Sequence, residues 1–229
     1  VWLGKVRFHG RTLRQLLMLG IPSGLQNSII AIANVVVQSS INLYGAMAMA
    51  GCGSYSKIEG FGFLPINSFA LALATFIGQN LGAKQYDRAR RGARFGILCC
   101  LLMAEVVGVG INLLAPWLIS LFNSDPQVIA FGALQARTVT LFYFLLAFSH
   151  SVAGVMRGAG RAIVPMLVML VCWCVIRVSY IMLVARVSGD IQMVFWAYPL
   201  TWALSSVAFL IYFVRGDWPH YLERKESAA

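Results

Sequence analysis

Long apolar stretches dominate this sequence, and short polar or basic segments separate them. Six stretches, near residues 20–44, 58–79, 93–115, 135–156, 162–184 and 192–214, each provide about the 20 residues of helix that cross a bilayer. Their apolar residues run continuously and do not alternate with polar ones, which favours helices over the strands of a membrane barrel. The pattern predicts an all-α membrane protein with six transmembrane helices in one bundle.

The segments outside these stretches are too short for a separate soluble domain. We expect a cytoplasmic linker over residues 1–15, the six-helix bundle over 16–215 and a polar, loose cytoplasmic tail over 216–229. The chain begins with a basic segment and without Met. We therefore expect it to be a fragment or a separated half of a longer protein.

Local signals refine the boundaries of the helices. Residues 116–134 are expected to form a short interfacial segment. Pro22 and Pro165 are predicted in the first turns of helices, where the missing N–H of proline costs little. Pro65 and Pro199 are predicted inside helices, where proline causes a kink.

Composition agrees with a membrane protein. Hydrophobic residues make up 59% of the chain, charged residues only 11%, and the mean hydropathy is +0.76. The five cysteines lie in apolar runs, alone or in close pairs that point in different directions on a helix. They predict neither a disulfide framework nor a metal site, so each is interpreted as a small buried hydrophobic residue.

The net charge of +10 has a topological explanation. With six helices, both termini lie on the same side, and that side holds 14 of the 18 lysines and arginines. These are Lys5, Arg7, Arg11, Arg14, Lys84, Arg88, Arg90, Arg91, Arg94, Arg157, Arg161, Arg215, Arg224 and Lys225. The positive-inside rule then predicts a multi-pass protein of the plasma (inner) membrane with both termini in the cytoplasm. The charge is accounted for by the lipid bilayer, and no nucleic-acid partner is expected.

Four amides on the first helix are out of place in hydrocarbon. At about 100° per residue, Asn34 and Gln38 lie within about 20° of Asn27 around the helix, and Asn42 lies about 60° away. One interpretation is that the amides hydrogen-bond to neighbouring helices. The other is that they line a water-filled cavity or a substrate path.

Three further polar side chains lie inside predicted spans. Glu105 sits midway along the third helix, where a charge is expensive. Arg177 on the fifth helix is a candidate partner for Glu105, and a protonated Glu105 with a structural role is the alternative. His150 is either a hydrogen-bonded residue of the bundle or a proton-responsive group facing a cavity, since the unperturbed pKa of histidine is about 6.5.

Three segments resemble the multidrug and toxic compound extrusion (MATE) family. They are "GIPSGLQNS" (20–28), "SKIEGFGFLPINSFALALATFIGQNLGAKQYDRAR" (56–90) and "RGAGRAIVP" (157–165). The middle segment is the most specific, since its "KIE", Pro65 and "GQNLGA" loop are similar to the second helix and following loop of the family's C-terminal half. The resemblance spans roughly residues 12–215.

The resemblance implies a fold and a function. Such transporters have twelve helices in two bundles and export organic cations and other drug-like substrates by Na⁺ or H⁺ antiport, without a cofactor. This chain resembles the second bundle, so the N-terminal six-helix half would be missing. Asn27, Asn34 and Gln38 would line the substrate cavity, with Asn67 and His150 as further candidates.

One departure concerns the coupling ion. Some branches of the family bind it in this bundle, through acids on the first and fourth helices. Here neither 20–44 nor 135–156 contains Asp or Glu. We therefore expect no coupling ion to be bound through acids of this half.

Two other classes of function are alternatives. A different six-span secondary transporter or a channel would also fit six helices, although no ion-filter loop is seen. An intramembrane enzyme is the remote alternative, because it needs a nucleophile and a base at matching depth. Ser151 adjoins His150, and adjacent helix positions diverge. We expect no enzyme, no catalytic residue and no metal site.

Overall fold

The computed structural model describes residues 10–187, 189–216 and 218–220, and these residues contain helices and connections but no strand. Six helical stretches are long and apolar enough to cross a membrane, so the predicted six-helix membrane fold is confirmed. The elements in order are α1 (Gly10–Asn42), α2 (Ala46–Gly82), α3 (Tyr86–Ser120), α4 (Pro126–Val139), α5 (Tyr143–Gly158), α6 (Ile163–Met169), a π-helical segment (Leu170–Ile176), α7 (Arg177–Val187), α8 (Ile191–Phe195) and α9 (Ala197–Arg215).

The helices are longer than the apolar stretches that predicted them, because helical backbone hydrogen bonds continue into the polar flanks. Helix α1 begins at Gly10, so the later part of the expected linker is helical. Pro22 consequently lies inside α1 and not in its first turn, which corrects the prediction. Pro165 does lie in the first turn of α6. Residues 1–9 of the expected linker are outside the described residues.

No separate interfacial segment forms over residues 116–134. Helix α3 continues to Ser120, and α4 begins at Pro126. Asp125 caps α4, since its Oδ1 accepts hydrogen bonds from the N–H groups of Gln127 at 2.8 Å and Val128 at 3.4 Å. This cap, with proline at the first helical position, starts the helix early enough for most of the segment to join the spans.

The last three spans are interrupted helices. A 3₁₀ turn at Thr140–Phe142 separates α4 from α5, and the π-helical segment lies between α6 and α7. The sixth span breaks at Trp196, between α8 and α9. Pro199 explains this break, because it has no N–H to donate to the carbonyl four residues earlier.

Helix α2 is the centre of the bundle and packs against α3, α4 and α5. Small residues allow the close approach: a Cβ on Gly51 of α2 would lie 2.5 Å from the carbonyl oxygen of Val128 on α4. Helix α1 instead packs mainly against α6, the π-helical segment and α7. Much of its surface is exposed, including Ile32 and Val35.

The segment after α9 folds back onto the bundle. Trp218 is only 3% exposed and stacks on Phe213 with ring centroids 5.7 Å apart. The expectation of a loose tail is therefore wrong for Gly216 and residues 218–220, because an indole buries a large apolar area. Residues 221–229 lie outside the described residues.

Candidate functional site

A cavity of about 440 Å³ opens among the helices. Its described wall comes from α1, α2, α5, the π-helical segment, α7 and α9. The lining residues are Asn27, Ile30, Asn34, Gln38, Ser56, Glu59, Gly60, Phe63, Asn67, His150, Trp173, Arg177, Tyr198 and Trp202. The five residues that the sequence suggested for a cavity, from Asn27 to His150, are thus brought together around one space.

Helix α1 places its amide stripe along this cavity. Asn27, Asn34 and Gln38 line the cavity. The same face of the helix continues to Asn42, whose Oδ1 accepts a hydrogen bond from Gln38 Nε2 at 3.1 Å. Among the described residues, the one hydrogen bond from the stripe to another helix is a long one of 3.4 Å, which Arg177 Nη1 donates to Asn34 Oδ1. Within the described part of the chain, the stripe therefore meets the cavity more than it meets neighbouring helices.

Glu59 brings a carboxylate into the cavity from α2. The Tyr55 hydroxyl donates to Glu59 Oε1 at 3.4 Å and lies 3.1 Å from the hydroxyl of Tyr143 on α5. Since Tyr55 uses its one proton on Glu59, the Tyr143 hydroxyl is the donor to Tyr55. No other hydrogen bond from the described residues reaches the carboxylate, so its remaining acceptor positions face the cavity.

Arg177 provides the opposite charge, and it is held deep in the wall. The side chain is only 1% exposed. Its Nε and Nη2 donate to Thr201 Oγ1 at 3.2 and 2.8 Å. The guanidinium also lies over the rings of Trp173 and Tyr198, at 5.1 and 4.7 Å from their centroids. Arg177 and Glu59 interact electrostatically, and of these two side chains Glu59 is the one that is partly exposed.

The π-helical segment positions Trp173 on the cavity. The indole Nε1 donates to Ser205 Oγ at 3.1 Å, and Ser205 lies 2.9 Å from Ser149 on α5. His150 packs edge-on to Phe63 at 5.5 Å and lies 5.6 Å from Trp173. Its Nε2 is buried and has no hydrogen-bond partner among the described residues. His150 thus lies among the lining residues of the cavity.

Glu105 and Arg177 do not pair with each other. Glu105 Oε2 accepts a hydrogen bond from the backbone N–H of Phe144 at 3.3 Å, at a partly exposed place between α3 and α5. Arg177 meets Thr201, Asn34 and two aromatic rings. The partner suggested from sequence is corrected, since the acid that faces Arg177 is Glu59.

Sequence reasoning missed several residues of this wall, namely Glu59, Phe63, Trp173, Tyr198 and Trp202 as cavity residues. Aromatic residues are common throughout membrane helices, so no local pattern marks those that face a cavity. A signal existed for Glu59, because an acid within an apolar helix has a functional role by default.

No group of three or more His, Cys, Asp or Glu side chains that could hold a metal ion occurs in the described residues. The described wall of the cavity offers amides, aromatic rings and the ionisable side chains of Glu59, His150 and Arg177. Such a set can bind ligands through hydrogen bonds, stacking and charge.

Comparison with known proteins gives a consistent family. The MatE family model matches residues 22–183 of the chain. The "Probable multidrug resistance protein NorM" of Thermotoga maritima is 28% identical over 155 residues, which are 68% of this chain and 33% of that protein. The "Probable multidrug resistance protein YpnP" of Bacillus subtilis is 27% identical over 203 residues, or 89% of this chain and 45% of that protein.

Solved structures agree on the fold. The crystal structure of MATE in complex with MaL6 superimposes with a TM-score of 0.85 at 19% identity, and covers 94% of this chain and 49% of that one. The chain thus corresponds to about half, or less, of the longer proteins that it matches.

Proposed function

The chain belongs to the MatE family, and on this premise we propose that it forms one half of an efflux transporter for drug-like molecules. The family consists of transporters and not of enzymes, in agreement with the sequence analysis. The other half, of six further helices, would close the cavity from the opposite side. Rocking of the two halves against each other would expose the cavity alternately to the two sides of the membrane.

The composition of the cavity wall is the observation that carries this proposal. The amides of Asn27, Asn34 and Gln38 offer donors and acceptors that suit many ligands, and they carry no charge. The rings of Phe63 and Trp202 offer apolar faces beside them. A wall of this kind binds varied drug-like molecules, because few of its contacts demand one exact geometry.

We further propose that Glu59 recognises the positive charge of organic-cation substrates. Its carboxylate has free acceptor positions on the cavity, whereas Arg177 is buried behind it and occupied by Thr201 and aromatic rings. A substrate cation next to Glu59 would also meet the neighbouring aromatic faces, which attract cations.

The driving force is proposed to be Na⁺ or H⁺ antiport, with the coupling ion bound in the other half. Described parts of α1, α4 and α5 contain no Asp or Glu. The one acid on the cavity, Glu59, is assigned to the substrate in this proposal. We place the protein in the plasma (inner) membrane with both termini in the cytoplasm. This orientation is favoured because 14 of the 18 lysines and arginines lie on the side of the termini.

Transport assays on the full-length protein in vesicles test this function. Export of a labelled organic cation should depend on an imposed Na⁺ or pH gradient. Glu59→Gln should slow the export of cations about tenfold or more, because the binding free energy of one charged hydrogen bond corresponds to such a factor. The export of neutral drugs should remain nearly unchanged. Loss of export for both kinds of drug would instead assign the coupling step to Glu59, and gradient-independent movement would reject antiport.

A further inference from the structure

A second cavity lies at the basic end of the bundle, and it shares no residue with the cavity described above. Its volume is about 370 Å³. It opens between the start of α3 and the segment that follows α9. Arg90 and Arg94 form one wall, and Phe213, Trp218 and Pro219 form the other.

The two arginines point to the same side of α3, because residues four apart on a helix are neighbours. Both are exposed at the mouth of the cavity. Among the described residues, no hydrogen bond or ion pair engages either guanidinium, whereas Arg88 donates to Gln85 Oε1 at 3.3 Å. Asp87 borders the adjoining space on the same helix, but its carboxylate oxygens are not within 4.0 Å of the guanidinium nitrogens of either arginine. Arg90 and Arg94 therefore present guanidinium donors that no described residue uses.

The opposite wall is held in place by stacking. Trp218 is buried against Phe213, and the His220 ring lies 4.7 Å from the ring of Tyr86 at the start of α3. The N–H of Gly216 donates to the carbonyl oxygen of Tyr212 at 2.8 Å, which fixes the turn out of α9. The cavity thus has an ordered apolar wall opposite its basic wall.

We propose that this cavity binds a phosphate group, presented by the headgroup of an anionic phospholipid or by free phosphate. Guanidinium groups match the oxygens of phosphate bidentately, and two of them, from Arg90 and Arg94, line this cavity. The site lies where the apolar spans give way to polar residues, which is the depth of lipid headgroups. The rings of Trp218 and Phe213 would border the glycerol backbone of such a lipid.

Native mass spectrometry of the full chain in detergent tests this site, with phosphatidylglycerol as the anionic lipid and phosphatidylcholine as the neutral comparison. The variant is Arg90→Gln with Arg94→Gln. The matched control is Arg88→Gln with Arg215→Gln, which removes two charges from the same end of the bundle but none from the cavity. Melting temperatures measured in phosphatidylcholine check that both double variants remain folded.

We expect the unaltered chain and the control to retain a phosphatidylglycerol adduct that the cavity variant binds about tenfold more weakly or worse. In this outcome, millimolar inorganic phosphate is then added as a competitor. If the lipid adduct persists, the phosphate group bound by the cavity is that of the lipid. If the adduct is displaced, the cavity is a site for free phosphate. Equal binding by the cavity variant and the control would overturn the proposal, because the general charge of this end would then be sufficient. A control that loses the adduct as fully as the cavity variant would overturn it equally. The test does not measure drug export, so its result is independent of whether the proposed function is correct.

Discussion

The pairing of Glu59 with Arg177 makes a quantitative prediction about stability. No carboxylate oxygen of the described residues lies within 4.0 Å of the Arg177 guanidinium. Opposite charges 4 Å apart attract by about 4 kcal/mol at an effective dielectric constant of about 20, and the energy falls inversely with distance. At about twice that separation the attraction is about 2 kcal/mol, which we take as the expected coupling energy.

The single variants should differ in their effect. Arg177→Gln leaves the Glu59 charge without a counter-charge and removes the donors to Thr201. It should therefore cost about 3 kcal/mol of unfolding free energy. Glu59→Gln keeps an acceptor for Tyr55 and should cost about 1 kcal/mol. The double variant should then cost about 2 kcal/mol, and not the sum of the two.

Unfolding titrations with sodium dodecyl sulfate in mixed micelles provide the measurement. Glu105→Gln is the matched control, since Glu105 lies in the same bundle and bonds to the Phe144 backbone. Its cost should add to that of Arg177→Gln within about 0.5 kcal/mol. Additive costs for Glu59 and Arg177, or a large coupling between Glu105 and Arg177, would refute the assignment.

Two further predictions concern the whole chain. Lys84→Cys should react with membrane-impermeant thiol reagents only from the cytoplasm and Gly189→Cys only from outside, in a background without the native cysteines; the reverse pattern would reject the proposed orientation. The 229-residue chain expressed alone should insert into the membrane but should not drive gradient-coupled export, because half of the cavity wall is absent; antiport by the purified monomeric chain would contradict the proposal of a half-transporter.

The spans were predictable because the hydrophobic pattern is strong and long, and their ends were not. Helix α1 continues to Gly10 and α4 starts at Pro126, beyond what apolar runs indicate. In both cases local backbone hydrogen bonds extend the helix into polar sequence, and Asp125 provides a cap in the second. The π-helical segment at Leu170–Ile176 has no sequence signal of this kind.

The candidate site was predictable only in part, for a physical reason. The amides of α1 fall on one face by helical periodicity alone, so Asn27, Asn34 and Gln38 could be grouped without a structure. Partners from different helices could not be grouped, since they depend on how the helices pack. Arg177 illustrates this, because it lies beside Asn34 of α1 and Thr201 of α9.

The central claim is that the amide stripe lines a drug cavity, and Gln38→Leu tests it most directly. Asn42→Leu is the matched control, because it removes the same Gln38–Asn42 hydrogen bond but not a lining residue of the cavity. Drug export and melting temperature are measured together on the full-length transporter. We predict that Gln38→Leu shifts the relative export rates of different drugs by about threefold to tenfold, because one hydrogen bond contributes about that much to binding. Asn42→Leu should leave these relative rates unchanged. Both variants should have the melting temperature of the unaltered protein. A lower melting temperature for Gln38→Leu with an unchanged drug profile would contradict the claim and make the stripe a packing surface.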